Sequence, residues 1–185
     1  MPGDPAEHHI VLIGPRGSGK STAGRLLARR LGVPLVDLDA EVARAAGRSI
    51  AEIFAAEGEP GFRARESAAL AAALTANGNG PGVVIAAGGG VVVREANRAL
   101  LKAAARHRVF LNGDPAELWR RIAADPATAA SRPALTAEVG EAEVRRVLAA
   151  RLPLYRELAT LELDVTRRTP DQVADAILQA VAGPP

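Results

Sequence analysis

Residues Gly14-Pro15-Arg16-Gly17-Ser18-Gly19-Lys20-Ser21-Thr22 carry the pattern G-x-x-x-x-G-K-[ST]. Glycines in such a loop let backbone N–H groups close around phosphate oxygens without a Cβ in the way. A helix opening at the end of the loop adds a field that favours an anion. In this pattern Lys20 reaches the β- and γ-phosphates and Ser21 offers its hydroxyl to Mg²⁺. The chemistry is nucleotide-phosphate binding, with Gly17, Ser18, Gly19, Lys20, Ser21 and Thr22 as the candidate residues. The competing dinucleotide fingerprint fails, because Thr22 stands where G-x-G-x-x-G needs its third glycine. An acidic pair, Asp37 and Asp39, follows the next apolar run. One carboxylate there could hold the waters of Mg²⁺ while the other orients or deprotonates a hydroxyl. Alternatively, Asp39 only caps the following helix.

The elements that must place these residues alternate. His9–Ile13 reads as a buried strand ending in glycine, and Ser21–Leu31 as a helix closed by Gly32. Pro34–Asp37 is a short strand. Asp39–Ala46 and Ser49–Glu57 read as helices hinged at Gly47, and Phe62–Ala76 as a third ending at Asn77-Gly78. Gly82–Ala87 is a strand running into Gly88-Gly89-Gly90, followed by a helix over Arg94–Ala105, a strand over Arg108–Leu111 and a helix from Ala116. Ala123–Glu138 is small-residue-rich with Pro126 and Pro133, and reads as a mobile loop. Glu141–Leu158 is helical, with Pro153 as a point of kinking or breakage. A strand at Leu161–Val165, an amphipathic helix from Thr169 and a disordered Gly183–Pro185 tail complete the chain. Short apolar strands alternating with helices imply a parallel sheet covered on both faces.

Composition narrows the function classes. The 185 residues suit one domain, and alanine dominates the 48% apolar fraction. Cys is absent, which excludes disulfides, thiolate metal sites and a cysteine nucleophile. Aromatics are 3%, too few for a base-stacking surface, and the net charge of +2 is scattered rather than striped, so no nucleic-acid partner is expected. No apolar run is long enough to span a bilayer and the N-terminus is polar, so a cytoplasmic protein without a membrane partner is expected. Among 23 basic residues only Lys20 and Lys102 are lysines, which makes a lysine at the loop position stand out.

Asp37 to Glu66 carries D-x-D, then G-x-S-I-x-E-I-F, then G-E-x-x-F-R-x-x-E, and this segment resembles the shikimate-binding segment of shikimate kinases. The phosphate loop, Gly88-Gly89-Gly90, Arg132-Pro133 and Arg151-x-x-x-Tyr155-x-x-x-Ala159 agree in order, so the resemblance runs from about Ile10 to Ile177. It implies an α/β P-loop NTPase three-layer sandwich related to nucleoside monophosphate kinases. The implied five-stranded parallel sheet has order 2-3-1-4-5, with a substrate-binding helical insert and a mobile lid. One domain over 1–185 is expected, with core 9–36, 82–120 and 139–182, the insert at about 37–76 and the lid at about 121–138.

The implied activity is transfer of the γ-phosphoryl of MgATP to the 3-hydroxyl of shikimate, on the pathway to chorismate and the aromatic amino acids. By resemblance, Asp39 contacts the ring hydroxyls and acts as base or orienter, and Asp37 supports Mg²⁺ through water while Ser21 binds it directly. Arg63 and Arg151 match carboxylate ligands, for which the planar guanidinium fork is suited. Gly88, Gly89 and Gly90 match the turn that approaches the substrate. Arg132 matches a lid arginine that closes on the phosphates, catalytic beside Asp39 and Lys20. Arg121 and Pro170 match an adenine sandwich, with Arg120 a rival for the first, and Arg168 is a further nucleotide contact. The lid departs from the family's R-P-L-L, reading Arg132-Pro133-Ala134-Leu135 after a lengthened Ala- and Ser-rich stretch. The expected partners are shikimate and ATP with no partner protein, in a monomer. Two alternatives stay open: a kinase for another small acceptor such as gluconate or a nucleoside monophosphate, and a nucleotide-binding regulatory module without turnover.

Overall fold

A computed structural model of the chain describes residues 9–75, 82–125 and 140–182. The expected helix end at Asn77-Gly78, Arg132 with most of the expected lid, and the Gly183–Pro185 tail lie outside the described residues.

Strands β1 (Ile10–Ile13), β2 (Leu35–Asp37), β3 (Val84–Ala86), β4 (His107–Asn112) and β5 (Leu161–Asp164) form one parallel sheet in the order 2-3-1-4-5. Leu12 sits between Ala86 of β3 and Val109 of β4, which fixes the register at the centre. Side chains alternate across a strand. Val11 and Ile13 therefore face a core with Ile85, Phe110, Leu70, Leu101, Tyr155 and Leu158. Ile10 and Leu12 face the opposite core with Val84, Val109, Leu27, Val173 and Ile177. Both faces are covered, which is why these strands read as unbroken apolar runs rather than alternating ones.

Helices α1 (Lys20–Leu31) and α7 (Pro170–Val181) cover the second face. Arg30 of α1 clamps them together through Asp171 at 2.7 Å and Asp175 at 2.6 Å. The first face is covered by α4 (Glu95–Ala104), α5 (Pro115–Ala124), α6 (Glu141–Leu158) and the C-terminal part of α3 (Ile50–Thr75). Helix α2 (Leu38–Ala46) ends at Gly47 and joins the start of α3 around a small separate core of Val42, Ile50, Ile53 and Phe62. Phe54 stacks on Phe62 there at 4.7 Å.

Three local details refine the sequence expectation. The two helices expected over 49–76 meet at Gly58, the one non-helical residue of α3 (φ 66°, ψ −175°), and the second begins earlier than Phe62 because Pro60 suits a first turn. A 3₁₀ turn at Val91–Val93 follows the glycine triplet, and α4 ties it down: Asn97 Nδ2 donates to Val91 O at 3.1 Å and Arg98 Nη1 to Val92 O at 2.7 Å. Helix α6 runs unbroken through Pro153. Pro153 and Ala149 are both exposed, so the gap that proline leaves in the helical hydrogen bonding falls on the outer side of the helix. Among the described residues no helix is long and apolar enough to cross a membrane.

Candidate active site

The loop between β1 and α1 has the backbone its motif requires. Gly19 adopts φ 83° and a Cβ placed there would meet nothing within 4 Å, so the loop stays open towards the cleft above it. Helix α1 has no side-chain cap and no acidic residue in its first turn, which leaves its first N–H groups and its positive end for an anion. Lys20 Nζ donates to Pro15 O at 2.7 Å and to Ser18 Oγ at 3.3 Å, while Ser18 Oγ donates to Pro15 O at 2.9 Å. The ammonium is thus held across the loop from which it would reach a phosphate.

The two acidic residues are separated by role. Asp37 caps α2: its Oδ1 accepts from Asp39 N at 3.1 Å and Ala40 N at 3.3 Å. Its Oδ2 accepts from Ser21 Oγ at 2.5 Å. The capping alternative considered for Asp39 is therefore taken by Asp37, and Asp39 lies in the first turn of α2 and lines the cleft. The Ser21–Asp37 pair also fits Mg²⁺. This ion keeps several waters and takes one or two carboxylates plus substrate phosphates rather than an all-protein cage. Among the described residues no group of three or more His, Cys, Asp or Glu could form such a cage.

A cleft of about 470 Å³ runs along the C-terminal edge of the sheet. It brings together Gly17 to Thr22, Asp37, Asp39, Gly88 and Gly89, and at its far end Arg121, Arg168 and Pro170. Arg121 is held by Nε to Glu117 Oε1 at 2.8 Å and by Nη2 to Val165 O at 2.8 Å and Thr166 O at 3.1 Å. Arg120 also lines the cleft, but its side chain is 69% exposed and, among the described residues, tied to Glu117. Arg120 and then Arg121 hold the Glu117 carboxyl down at about 2.

Gly90, the last residue of the glycine turn, and the two arginines that contact this turn, Arg63 and Arg151, do not line the cleft itself. The Arg63 side chain is 5% exposed and donates through Nη1 to Glu66 Oε2 at 2.7 Å. Its Nε and Nη2 donate to Glu59 Oε1 at 3.2 and 3.0 Å. Burial disfavours its charge, but the Glu66 and Glu59 carboxylates outweigh that and raise its pKa above the ordinary arginine value. The guanidinium packs flat on Gly90, where a Cβ would lie 2.2 Å from Cζ and both Nη atoms. Arg151 Nη1 donates to Gly89 O at 3.1 Å. Two arginines from α3 and α6 thus converge on one turn.

A family model for shikimate kinase matches residues 16–182. The chain belongs to the shikimate kinase family. The shikimate kinase of Rhodopirellula baltica is 45% identical over 172 residues, covering 93% of this chain and 89% of that protein. That of Saccharopolyspora erythraea is 47% identical over 171 residues, 92% of each. The structure of shikimate kinase from Acinetobacter baumannii in complex with shikimate superposes with a TM-score of 0.82 at 36% identity, covering 94% of this chain and 92% of that one. A gluconokinase from Sinorhizobium meliloti shares the fold alone, at a TM-score of 0.61 and 18% identity.

Within this shikimate kinase fold the structure adds residues to which the sequence reading gave no site role. Arg16 and Glu117 line the cleft, Glu59 and Glu66 brace Arg63, and Tyr155 donates to Gly89 O at 2.5 Å. Helical spacing was the available signal for most of them: Glu117 precedes Arg120 and Arg121 by three and four residues, Glu59 precedes Arg63 by four, and Tyr155 follows Arg151 by four. Asp37 as an Asp directly before a helix was a capping signal. Arg132 lies outside the described residues.

Proposed function

We propose that this member of the shikimate kinase family transfers the γ-phosphoryl of MgATP to the 3-hydroxyl of shikimate, releasing ADP and shikimate 3-phosphate. The observation that carries the reading is the cleft itself. It joins a phosphate-binding loop to Asp39 and to a glycine turn backed by two arginines. The backbone of Gly17 to Thr22 and Lys20 hold the nucleotide phosphates. Arg121, Arg168 and Pro170 frame the base, Arg121 in preference to Arg120 because its guanidinium is fixed at three acceptors. Ser21 would hold Mg²⁺ directly and Asp37 through water, where such an ion would supply neutralisation of charge on the phosphate oxygens.

Arg63 and Arg151 take the shikimate carboxylate, and residues 37–76 act as the acceptor-binding insert. Asp39 accepts the proton of the 3-hydroxyl as that oxygen attacks the γ-phosphorus. The bond to the β-phosphate oxygen breaks and ADP leaves. Holding both reactants in one cleft and placing Lys20 on the transferred group supplies most of the acceleration. The test is ADP release by the purified protein with MgATP, with and without shikimate, beside gluconate and nucleoside monophosphates. Shikimate-dependent release is expected. Release with another acceptor would discard the carboxylate assignment of Arg63 and Arg151. ATP binding without acceptor-dependent release would favour a regulatory module.

A further inference from the structure

The Gly89 carbonyl receives two donors, Tyr155 Oη at 2.5 Å and Arg151 Nη1 at 3.1 Å. A carbonyl oxygen has two lone pairs, so both are filled. The donors lie one helical turn apart on α6 and on the same face. They differ in how they are held. Tyr155 is completely buried, and its ring stacks on Phe110 of β4 at 4.8 Å with the planes 16° apart. The core therefore aims its hydroxyl. Arg151 is half-buried and carries five donors on a flexible stem.

We propose that Tyr155 is a positioning residue for the acceptor: its hydroxyl keeps the Gly89 carbonyl satisfied when Arg151 turns from that carbonyl to the acceptor's carboxylate. The inference rests on the reading of Arg151 as a carboxylate ligand. It deepens that reading by naming what holds the glycine turn while the arginine is engaged. Burial pushes the phenol up to about 12, so the hydroxyl remains a donor at any working pH. A trans peptide sets the Gly90 N–H opposite to the Gly89 carbonyl, so fixing one fixes the other.

The two states respond differently to loss of the hydroxyl. Without substrate, Tyr155→Phe leaves Gly89 O with Arg151 as its donor, and the ring stack is kept. With substrate bound, Arg151 is engaged elsewhere and the carbonyl is left unsatisfied. The cost falls on the bound state. Steady-state kinetics and thermal unfolding of Tyr155→Phe, Arg151→Ala and the double variant test this. The shikimate KM of Tyr155→Phe is expected to rise about tenfold, more than kcat or the ATP KM changes, with little shift in Tm. In the Arg151→Ala background the hydroxyl serves both states equally. Its removal there should lower Tm and leave the shikimate KM unchanged. A Tyr155→Phe protein with lowered Tm and unchanged shikimate KM overturns the proposal and makes the bond a structural tie. If Arg151→Ala also leaves the shikimate KM unchanged, the assignment of Arg151 as a carboxylate ligand fails with it.

Discussion

Replacing Gly90 by alanine should damage acceptor binding through one contact. The backbone at Gly90 has φ −100° and ψ 0°, which alanine adopts without strain. The added methyl would sit 2.2 Å from Cζ, Nη1 and Nη2 of Arg63, and ordinary contact begins at 3.4 Å, so the guanidinium must retreat by about 1.2 Å. That move draws the guanidinium off its 2.7 Å bond to the fully buried Glu66 and changes where the fork points. A hydrogen bond to a charged group is worth about 1.5–3 kcal/mol. A misplaced fork should therefore raise the shikimate KM roughly 10- to 150-fold. The ATP KM should hold, because the phosphate loop is built on α1 and not on α3. The assay is ADP release with shikimate varied at saturating MgATP, beside thermal unfolding. Arg63→Ala provides the internal control: with the guanidinium gone, Gly90→Ala should add nothing. A normal shikimate KM in Gly90→Ala would refute the claim that acceptor binding depends on where Arg63 is held.

Arg63→Lys keeps the charge and loses the fork, so calorimetry should show shikimate binding weakened by about 1.5–3 kcal/mol; unchanged affinity would remove Arg63 as a ligand. Asp39→Asn should lower kcat by about 10²- to 10⁴-fold with the ATP KM retained, and near-normal turnover would deny Asp39 its role as proton acceptor. Glu117 is held at about 2 against an ordinary 4.5, so its charged form is favoured by folding. The stability it adds is present above pH 4.5 and lost as the pH falls towards 2. The Tm difference between wild type and Glu117→Gln, measured across that window, should therefore shrink with acidification; a constant difference would contradict the ion pairing.

The phosphate-binding loop was legible from residue order because its parts are contiguous: glycines, lysine and hydroxyl act through a single strand–loop–helix unit. The sheet's strands were legible for a related reason, since burial on both faces leaves unbroken apolar runs. Asp37 and Asp39 were harder, because helix capping and hydroxyl chemistry both favour an Asp at a strand-to-helix junction. Only the hydrogen bonds of Asp37 to Asp39 N, Ala40 N and Ser21 Oγ separate them. Pro153 shows the reverse case. The sequence reads as a helix over Glu141–Leu158 with Pro153 as a point of kinking or breakage, and the helix keeps those bounds with Pro153 on its exposed side.

By itself the sequence determined the nucleotide chemistry, the alternation of strands and helices, and the residue types suited to a carboxylate. Tertiary structure decided their convergence. Arg63 and Arg151 reach the same glycine turn because α3 and α6 pack on one face of the sheet, beside the exit of β3. That meeting depends on strand order and helix packing, which are properties of many distant contacts at once. The spacing along the chain specifies neither the packing of the Arg63 guanidinium on Gly90, where a Cβ would lie 2.2 Å away, nor the shared carbonyl at Gly89.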